Sequence, residues 1–128
     1  GGQCTVPMGN QAMIFRETAT EEELPRYDGH HVAIYIGDPA KGDTAASFTE
    51  MYKRCKAAGL VYNNPRFPNL VYDTLEDALR LGEFRVLDLV DPETGKVVYR
   101  LEHEIRSLEH HGFSCKALVK RPGSNSNL

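Results

Sequence analysis

The sequence lacks several features that would assign it to a functional class. No apolar run approaches the roughly 18 residues that a membrane-spanning helix needs, and we expect no membrane partner. Acidic residues outnumber basic ones, 18 to 15, and the formal net charge is −3, so we also expect no nucleic-acid partner. A chain of 128 residues is the length of one ordinary domain.

Cysteine is scarce as well. The three cysteines, Cys4, Cys55 and Cys115, lie far apart, and their odd number excludes a closed disulfide framework. This favours a reducing, cytoplasmic location. No Cys-x-x-Cys pair, phosphate-binding glycine-rich loop or Gly-x-Ser-x-Gly motif occurs, which removes three common kinds of site.

The hydrophobic pattern predicts an α+β fold. Period-two alternation indicates strands, and apolar residues at helical spacing between capping residues and glycines indicate helices. The predicted strands are 11–17, 31–36, 60–62, 84–90 and 96–105, and the predicted helices are 44–58, capped by Thr44 or Ser47, and 75–81, capped by Asp73 or Thr74. One main helix on a mostly antiparallel sheet leaves the second face of the sheet to be covered or used.

Two of these strands carry chemically active side chains on one face. Side chains alternate along a strand, so Val32, Ile34 and Ile36 face one way, and His31 and Tyr35 the other. On the last strand the apolar side consists of Val97, Tyr99, Leu101 and Ile105, and the polar side includes Arg100, Glu102 and Glu104. If the helix covers the apolar sides, the polar side chains share the opposite face.

This polar face has two interpretations. A histidine and carboxylates are ligand types for Zn²⁺, Mn²⁺, Fe²⁺ or Ni²⁺, and they also serve as general acids and bases. The alternative is an exposed sheet face whose opposite charges pair across strands. His103 lies on the apolar side and fits a core histidine, and His110 and His111 match no strong zinc-binding spacing.

The chain also resembles one module of a known superfamily. Its signature segments are Gly29-His30-His31-Val32-Ala33-Ile34-Tyr35-Ile36 before a helix, then Gly59-Leu60-Val61, Asp91-Pro92-x-x-Gly95 and Leu101-Glu102-His103-Glu104. Their order resembles a βαβββ module of the vicinal oxygen chelate superfamily, which includes glyoxalase I, extradiol dioxygenases and bleomycin-resistance proteins. The resemblance implies a mixed, mostly antiparallel curved sheet whose cup is completed by a second module or a second chain.

The same resemblance organises the whole sequence. Residues 1–17 are interpreted as the terminal hairpin of a preceding module, 18–28 as a linker, 29–113 as the βαβββ module, and 114–128 as a tail that becomes disordered. The first residues, Gly1-Gly2, stand where an initiator methionine is absent, which fits a cloning remnant or a piece of a longer protein. The partner is then expected to be a second copy, giving a homodimer, or a second module.

The resemblance also implies roles for individual residues. His31 and Glu102 match the family's metal ligands, and Glu104, on the same face, is the competitor for Glu102. If Glu102 is the ligand, Glu104 is expected to support the ligands or to act as a catalytic general base, and Tyr35 and Arg100 are expected to contact substrate. The implied function is a lyase, isomerase or dioxygenase that needs a divalent metal (Zn, Fe, Mn or Ni) and acts on a small oxygenated metabolite. The alternative is a non-catalytic module that binds a small ligand or serves as a structural half of a larger protein.

Overall fold

The computed structural model describes residues 2–19 and 26–113. The strands are β1 (Gln3–Met8), β2 (Gln11–Arg16), β3 (His31–Ile36), β4 (Glu83–Val90) and β5 (Val97–Ser107), and the helices are α1 (Ala46–Ala57) and α2 (Leu75–Leu81), with a short 3-10 turn at Pro39–Lys41. The predicted tail, Cys115 and residues 20–25 of the predicted linker lie outside the described residues. No helix within the described residues is long and apolar enough to cross a membrane.

The strands form two sheets. β1 and β2 pair antiparallel as a hairpin, and the second sheet has the order β3-β5-β4. β3 runs parallel to β5, whereas β4 runs antiparallel to it. The segment predicted as strand 60–62 makes a single antiparallel bridge, between Val61 and Val86. The coarse α+β class is therefore confirmed.

The hydrophobic core lies between α1 and the second sheet. Phe48 and Tyr52 of α1 pack edge-on against Phe84 of β4, with ring centroids 5.4 and 5.3 Å apart. Ile105 of β5 joins this buried cluster, and Ile34 of β3 packs against it. Each fully buried side chain of this size stabilises the fold by about 1.5–3 kcal/mol. Ile34 and Ile36 of β3 and Ile105 of β5 thus lie in or against the core beside α1, as predicted. On the first half of β5 the prediction is not met, since Val97 is 48% exposed and Tyr99 lines a groove beside the β1–β2 hairpin.

The helix ends follow local hydrogen bonding, and one prediction about them is wrong. Neither Thr44 nor Ser47 caps α1: the Asp43 carboxylate accepts a hydrogen bond from the Ser47 amide at 3.1 Å, because the Thr44 hydroxyl instead donates to Glu109. At α2 the prediction holds, since the Thr74 hydroxyl accepts from the Asp77 amide at 3.1 Å.

Candidate functional site

A set of charged side chains occupies the sheet face opposite α1. Since Phe84, Val86 and Ile105 point into the core, alternation turns their neighbours on β4 and β5 to the other face. The register places Glu83 beside Arg106 and Arg85 beside Glu104. Opposite charges therefore alternate across the two strands. We call Glu83, Arg85, Glu102, Glu104 and Arg106 the charged cluster.

The charged cluster is buried, which contradicts the exposure expected in the second interpretation, but its opposite charges do pair across the strands, as that interpretation predicted. Glu102 is 1% exposed and Glu104 is 2% exposed. The loop between Tyr62 and Tyr72 covers them: the Phe67 ring lies 5.0 Å from the Arg85 guanidinium. The Tyr72 hydroxyl accepts from Arg85 Nε at 3.3 Å and donates to Glu83 at 2.7 Å.

Glu102 lies at the centre of a set of donors. Its carboxylate accepts from Arg85 Nη1 at 2.6 Å, from Asn64 Nδ2 at 3.2 Å and from the Tyr27 hydroxyl. Burial by itself raises the pKa of Glu102, but the hydrogen bonds from Tyr27, Arg85 and Asn64 outweigh it and lower that pKa. Burial and the bond to Glu102 raise the pKa of Tyr27. Glu102 is thus an ionised acceptor whose lone pairs are engaged by protein donors.

Glu104 is bound on one oxygen and more open on the other. Arg106 Nη2 and Nε each lie 2.7 Å from Glu104 Oε1. Glu104 Oε2 is 3.6 Å from Arg85 Nη2 and 3.8 Å from His31 Nε2. Both of the latter distances exceed that of a hydrogen bond. The second oxygen of Glu104 is therefore the carboxylate atom best placed to accept a new partner.

The hydrogen bonds of His31 determine which of its nitrogens carries the lone pair. His31 Nδ1 lies 3.2 Å from the carbonyl oxygen of Gly29. A carbonyl can only accept, so Nδ1 carries the hydrogen and, in the neutral ring, Nε2 carries the lone pair. That nitrogen faces Glu104 Oε2, and the His31 side chain is 46% exposed. His31 thus presents a ligand nitrogen at the solvent-facing border of the charged cluster.

His110 has the opposite arrangement. Its Nδ1 accepts a hydrogen bond from the Gly112 amide at 2.9 Å, so its hydrogen lies on Nε2, which is 3.3 Å from Glu83 Oε1. Glu83, Glu104 and His110 are buried, and their candidate ligand atoms lie within 4.8 Å of one another. The group has the composition of a metal site, yet His110 offers it an N–H donor in place of a lone pair.

A charge count shows where a cation would be stabilised. The charged cluster contains three carboxylates and two guanidinium groups, so its formal charge is −1, and the tautomer of His110 contributes none. A buried unpaired charge is costly, which favours a positive charge near it. His31 Nε2 and Glu104 Oε2 border the place where such a charge would have both a nitrogen and an oxygen partner.

Of the two predicted substrate-contacting residues, one lies beside the charged cluster and the other does not. Tyr35 lies beside the charged cluster, where its hydroxyl accepts from Arg106 Nη1 at 2.8 Å. Arg100 is exposed and pairs with Asp88 at 3.1 Å, so the structure does not bring it to His31. An open groove of about 920 Å³ lies between the β1–β2 hairpin and residues Leu89, Val98 and Tyr99, and its lining includes no member of the charged cluster.

Several participants were missed from the sequence: Glu83, Arg85 and His110, and the hydrogen-bonding partners Tyr27, Asn64 and Tyr72. Glu83 and Arg85 alternate with the core residues Phe84 and Val86, and this alternation could have placed them on the polar face. His110 gives no comparable local signal, because a turn after β5 brings it against Gly82.

Comparison with known proteins found no matching family model, curated protein or solved structure. The resemblance to the vicinal oxygen chelate superfamily stays a prediction.

Proposed function

We propose that this domain is a divalent-metal-dependent lyase, isomerase or dioxygenase of the vicinal oxygen chelate type, acting on a small oxygenated metabolite. The order of its elements supports the proposal: β3, α1, the single bridge at Val61, β4 and β5 follow the order of a βαβββ module, with α2 lying between Val61 and β4. The observation that carries it is the pair of His31 Nε2 and Glu104 Oε2, 3.8 Å apart.

This pair fits the chemistry of a metal site. Two ligand atoms each about 2.1 Å from one zinc ion lie about 3–4 Å apart, which agrees with the separation of Nε2 and Oε2. The contact of Nδ1 with the Gly29 carbonyl is the outer hydrogen bond that typically orients a ligating histidine. We therefore propose Glu104, in place of Glu102, as the carboxylate ligand.

The residues around this pair have distinct proposed roles. A bound divalent ion would polarise substrate oxygens as a Lewis acid. Arg106 holds Glu104 Oε1 and so directs Oε2 toward His31. Glu102 positions Arg85, Tyr27 and Asn64. Two protein ligands are too few for a closed site, so we propose that a second copy or a second module supplies the others.

A non-catalytic function is the second candidate, and one observation favours it. Arg106 and Arg85 already pair with Glu104 and Glu102, so each of these two buried carboxylates has a cationic partner without a metal. The domain would then bind a small ligand or form a structural half of an assembly.

Metal content separates the two candidates. The purified chain is dialysed against Zn²⁺, Mn²⁺, Fe²⁺ or Ni²⁺ in turn, and bound metal is measured by mass spectrometry together with the molar mass in solution. We expect one of these ions to be retained stoichiometrically by an assembled species, and to be lost in His31→Ala. His30→Ala is the matched control, since His30 Nδ1 contacts Asp28 at 3.0 Å. A metal-free protein whose melting temperature is unchanged by all four ions would contradict the metalloenzyme and support the second candidate.

A further inference from the structure

Arg66 lies on a loop that is tied to the charged cluster. Its backbone amide donates to Asn64 Oδ1 at 2.9 Å, and Asn64 Nδ2 donates to Glu102 at 3.2 Å. Proline stands at positions 65 and 68, and each fixes its own φ. The loop therefore holds Arg66 at a defined place relative to β5.

The guanidinium of Arg66 extends toward the segment that orients His31. Arg66 Nη1 lies 3.3 Å from the place that a Cβ atom on Gly29 would take, and the Gly29 carbonyl is the partner of His31 Nδ1. On its other side the guanidinium lies 5.9 Å from the Phe67 ring centroid. Arg66 thus stands beside the turn that orients His31.

Arg66 differs from the two arginines of the charged cluster. Arg85 and Arg106 are engaged by buried carboxylates, whereas none of the ion pairs within residues 2–19 and 26–113 includes Arg66. Among the residues that the structure describes, no hydrogen bond engages its guanidinium, and its planar set of donors matches a carboxylate in a two-point contact. Beside it, the Phe67 ring is 37% exposed and offers an apolar surface to the rest of a ligand.

We infer that Arg66 binds an anionic group of the substrate, and that the substrate class is a small carboxylate with a neighbouring oxygen. This inference rests on the proposed function, because the neighbouring oxygen would face the ion held by His31 and Glu104. The charges agree with it: a divalent ion against the formal −1 of the charged cluster leaves a positive site, and Arg66 increases that positive charge. Such a site favours an anion over a neutral molecule of equal shape.

A matched pair of probes tests the substrate class. Lactate and 1,2-propanediol both carry vicinal oxygens and differ in the carboxylate. Each is titrated into the metal-loaded protein, and binding is followed by NMR shifts of backbone amides near Gly29 and Phe67. We expect lactate to bind more tightly than the diol. Arg66→Gln should reduce lactate affinity about tenfold, the effect of losing one charge-assisted contact, with no change for the diol. Arg66→Lys should restore part of it.

A control variant and a measurement of metal content distinguish failure of the Arg66 anion site from failure of the proposed metal-dependent function. Arg54→Gln, an exposed arginine on α1, should leave both affinities unchanged, and Arg66→Gln should leave metal content unchanged. Equal binding of lactate and diol to a metal-loaded protein, or lactate affinity that is the same in Arg66→Gln, would overturn the inference while the proposed function stands. If no metal binds but lactate affinity still depends on Arg66, the anion site is supported and the proposed function is not. If neither metal nor Arg66-dependent lactate binding is found, both the proposed function and the inference are overturned.

Discussion

His31 and Glu104 face each other across two parallel strands, with Nε2 3.8 Å from Oε2, although the strand register pairs His31 with Glu102. The side chain of His31 is directed by the bond from Nδ1 to the Gly29 carbonyl. Two features therefore bring His31 to Glu104 and away from Glu102. The turn before β3 orients the ring, and the oxygens of Glu102 already accept hydrogen bonds from other donors.

Exchanging each glutamate for glutamine distinguishes the two carboxylates as ligands. We expect Glu104→Gln to lose bound metal, since it removes the ligand charge beside His31. Glu102→Gln should retain metal but destabilise the fold by about 3 kcal/mol, because Arg85 loses the buried charge that it contacts at 2.6 Å. Metal content and urea unfolding of both variants are the measurements. Loss of metal in Glu102→Gln with retention in Glu104→Gln would restore the original prediction that Glu102 is the ligand.

The two histidine tautomers provide a direct spectroscopic test. In metal-free protein above neutral pH, we expect long-range ¹⁵N–¹H NMR spectra to show the hydrogen on Nδ1 in His31 and on Nε2 in His110. These assignments follow from the Gly29 carbonyl, an acceptor, and the Gly112 amide, a donor. Added metal should shift Nε2 of His31 and leave His110 unchanged. A metal-induced shift at His110 Nε2 would instead support an ion bound by Glu83, Glu104 and His110.

Local pattern predicted the elements of the fold well, for a physical reason. Alternation along His31–Ile36 and the capping signals around Leu75–Leu81 act within a few residues, and the structure has both elements at these bounds. The same alternation placed Glu102 and Glu104 on one face. Strand 60–62 failed to form beyond one bridge at Val61, since a short apolar run specifies neither its partner nor its length.

The burial of the polar face could not be predicted from the local sequence pattern. It depends on contacts such as Asn64 with Glu102, which are 38 positions apart in the chain, and on Tyr27, which was expected in a linker but donates to Glu102. The alternation of charged and apolar residues in a strand is the same whether water or a loop covers the charged face. Arg85 as the partner of Glu102 likewise required the antiparallel pairing of β4 with β5.

Two glycines at helix ends offer a matched pair for testing the turn that carries His110. Gly59 and Gly82 both have φ of 70°, so alanine at either costs about 1–2 kcal/mol for the left-handed conformation. At Gly82 the added Cβ would also lie 2.9 Å from the Cα of His110, whereas at Gly59 it would meet no described atom within 4 Å. We expect Gly82→Ala to lose a further 1–3 kcal/mol, roughly the cost of overpacking. Equal urea midpoints for the two variants would show that the turn carrying His110 moves to accommodate the added methyl group at little energetic cost.

His103 predicts how stability depends on pH. It lies on the α1 side of β5, opposite Val32 and Val86 in the register, and its buried Nδ1 has no partner among the described residues. Burial lowers the pKa of His103 below its ordinary value of 6.5, against a smaller opposing effect of a backbone bond at Leu101. Between those two pKa values the unfolded chain binds more protons, so stability is complete above pH 6.5 and falls as the pH decreases.

The slope of this loss approaches about 1.4 kcal/mol per pH unit for one proton. His103→Leu should remove this contribution between pH 7.5 and 5.5. At pH 7.5 it removes an unpartnered buried nitrogen but also the backbone bond at Leu101, so we expect a change in stability of no more than about 1 kcal/mol there. His111→Leu, at an exposed position, should keep the slope of the parent chain. Urea unfolding at the two pH values measures all three proteins, and a His103→Leu chain that keeps the slope of the parent chain would contradict the assignment of this loss to His103.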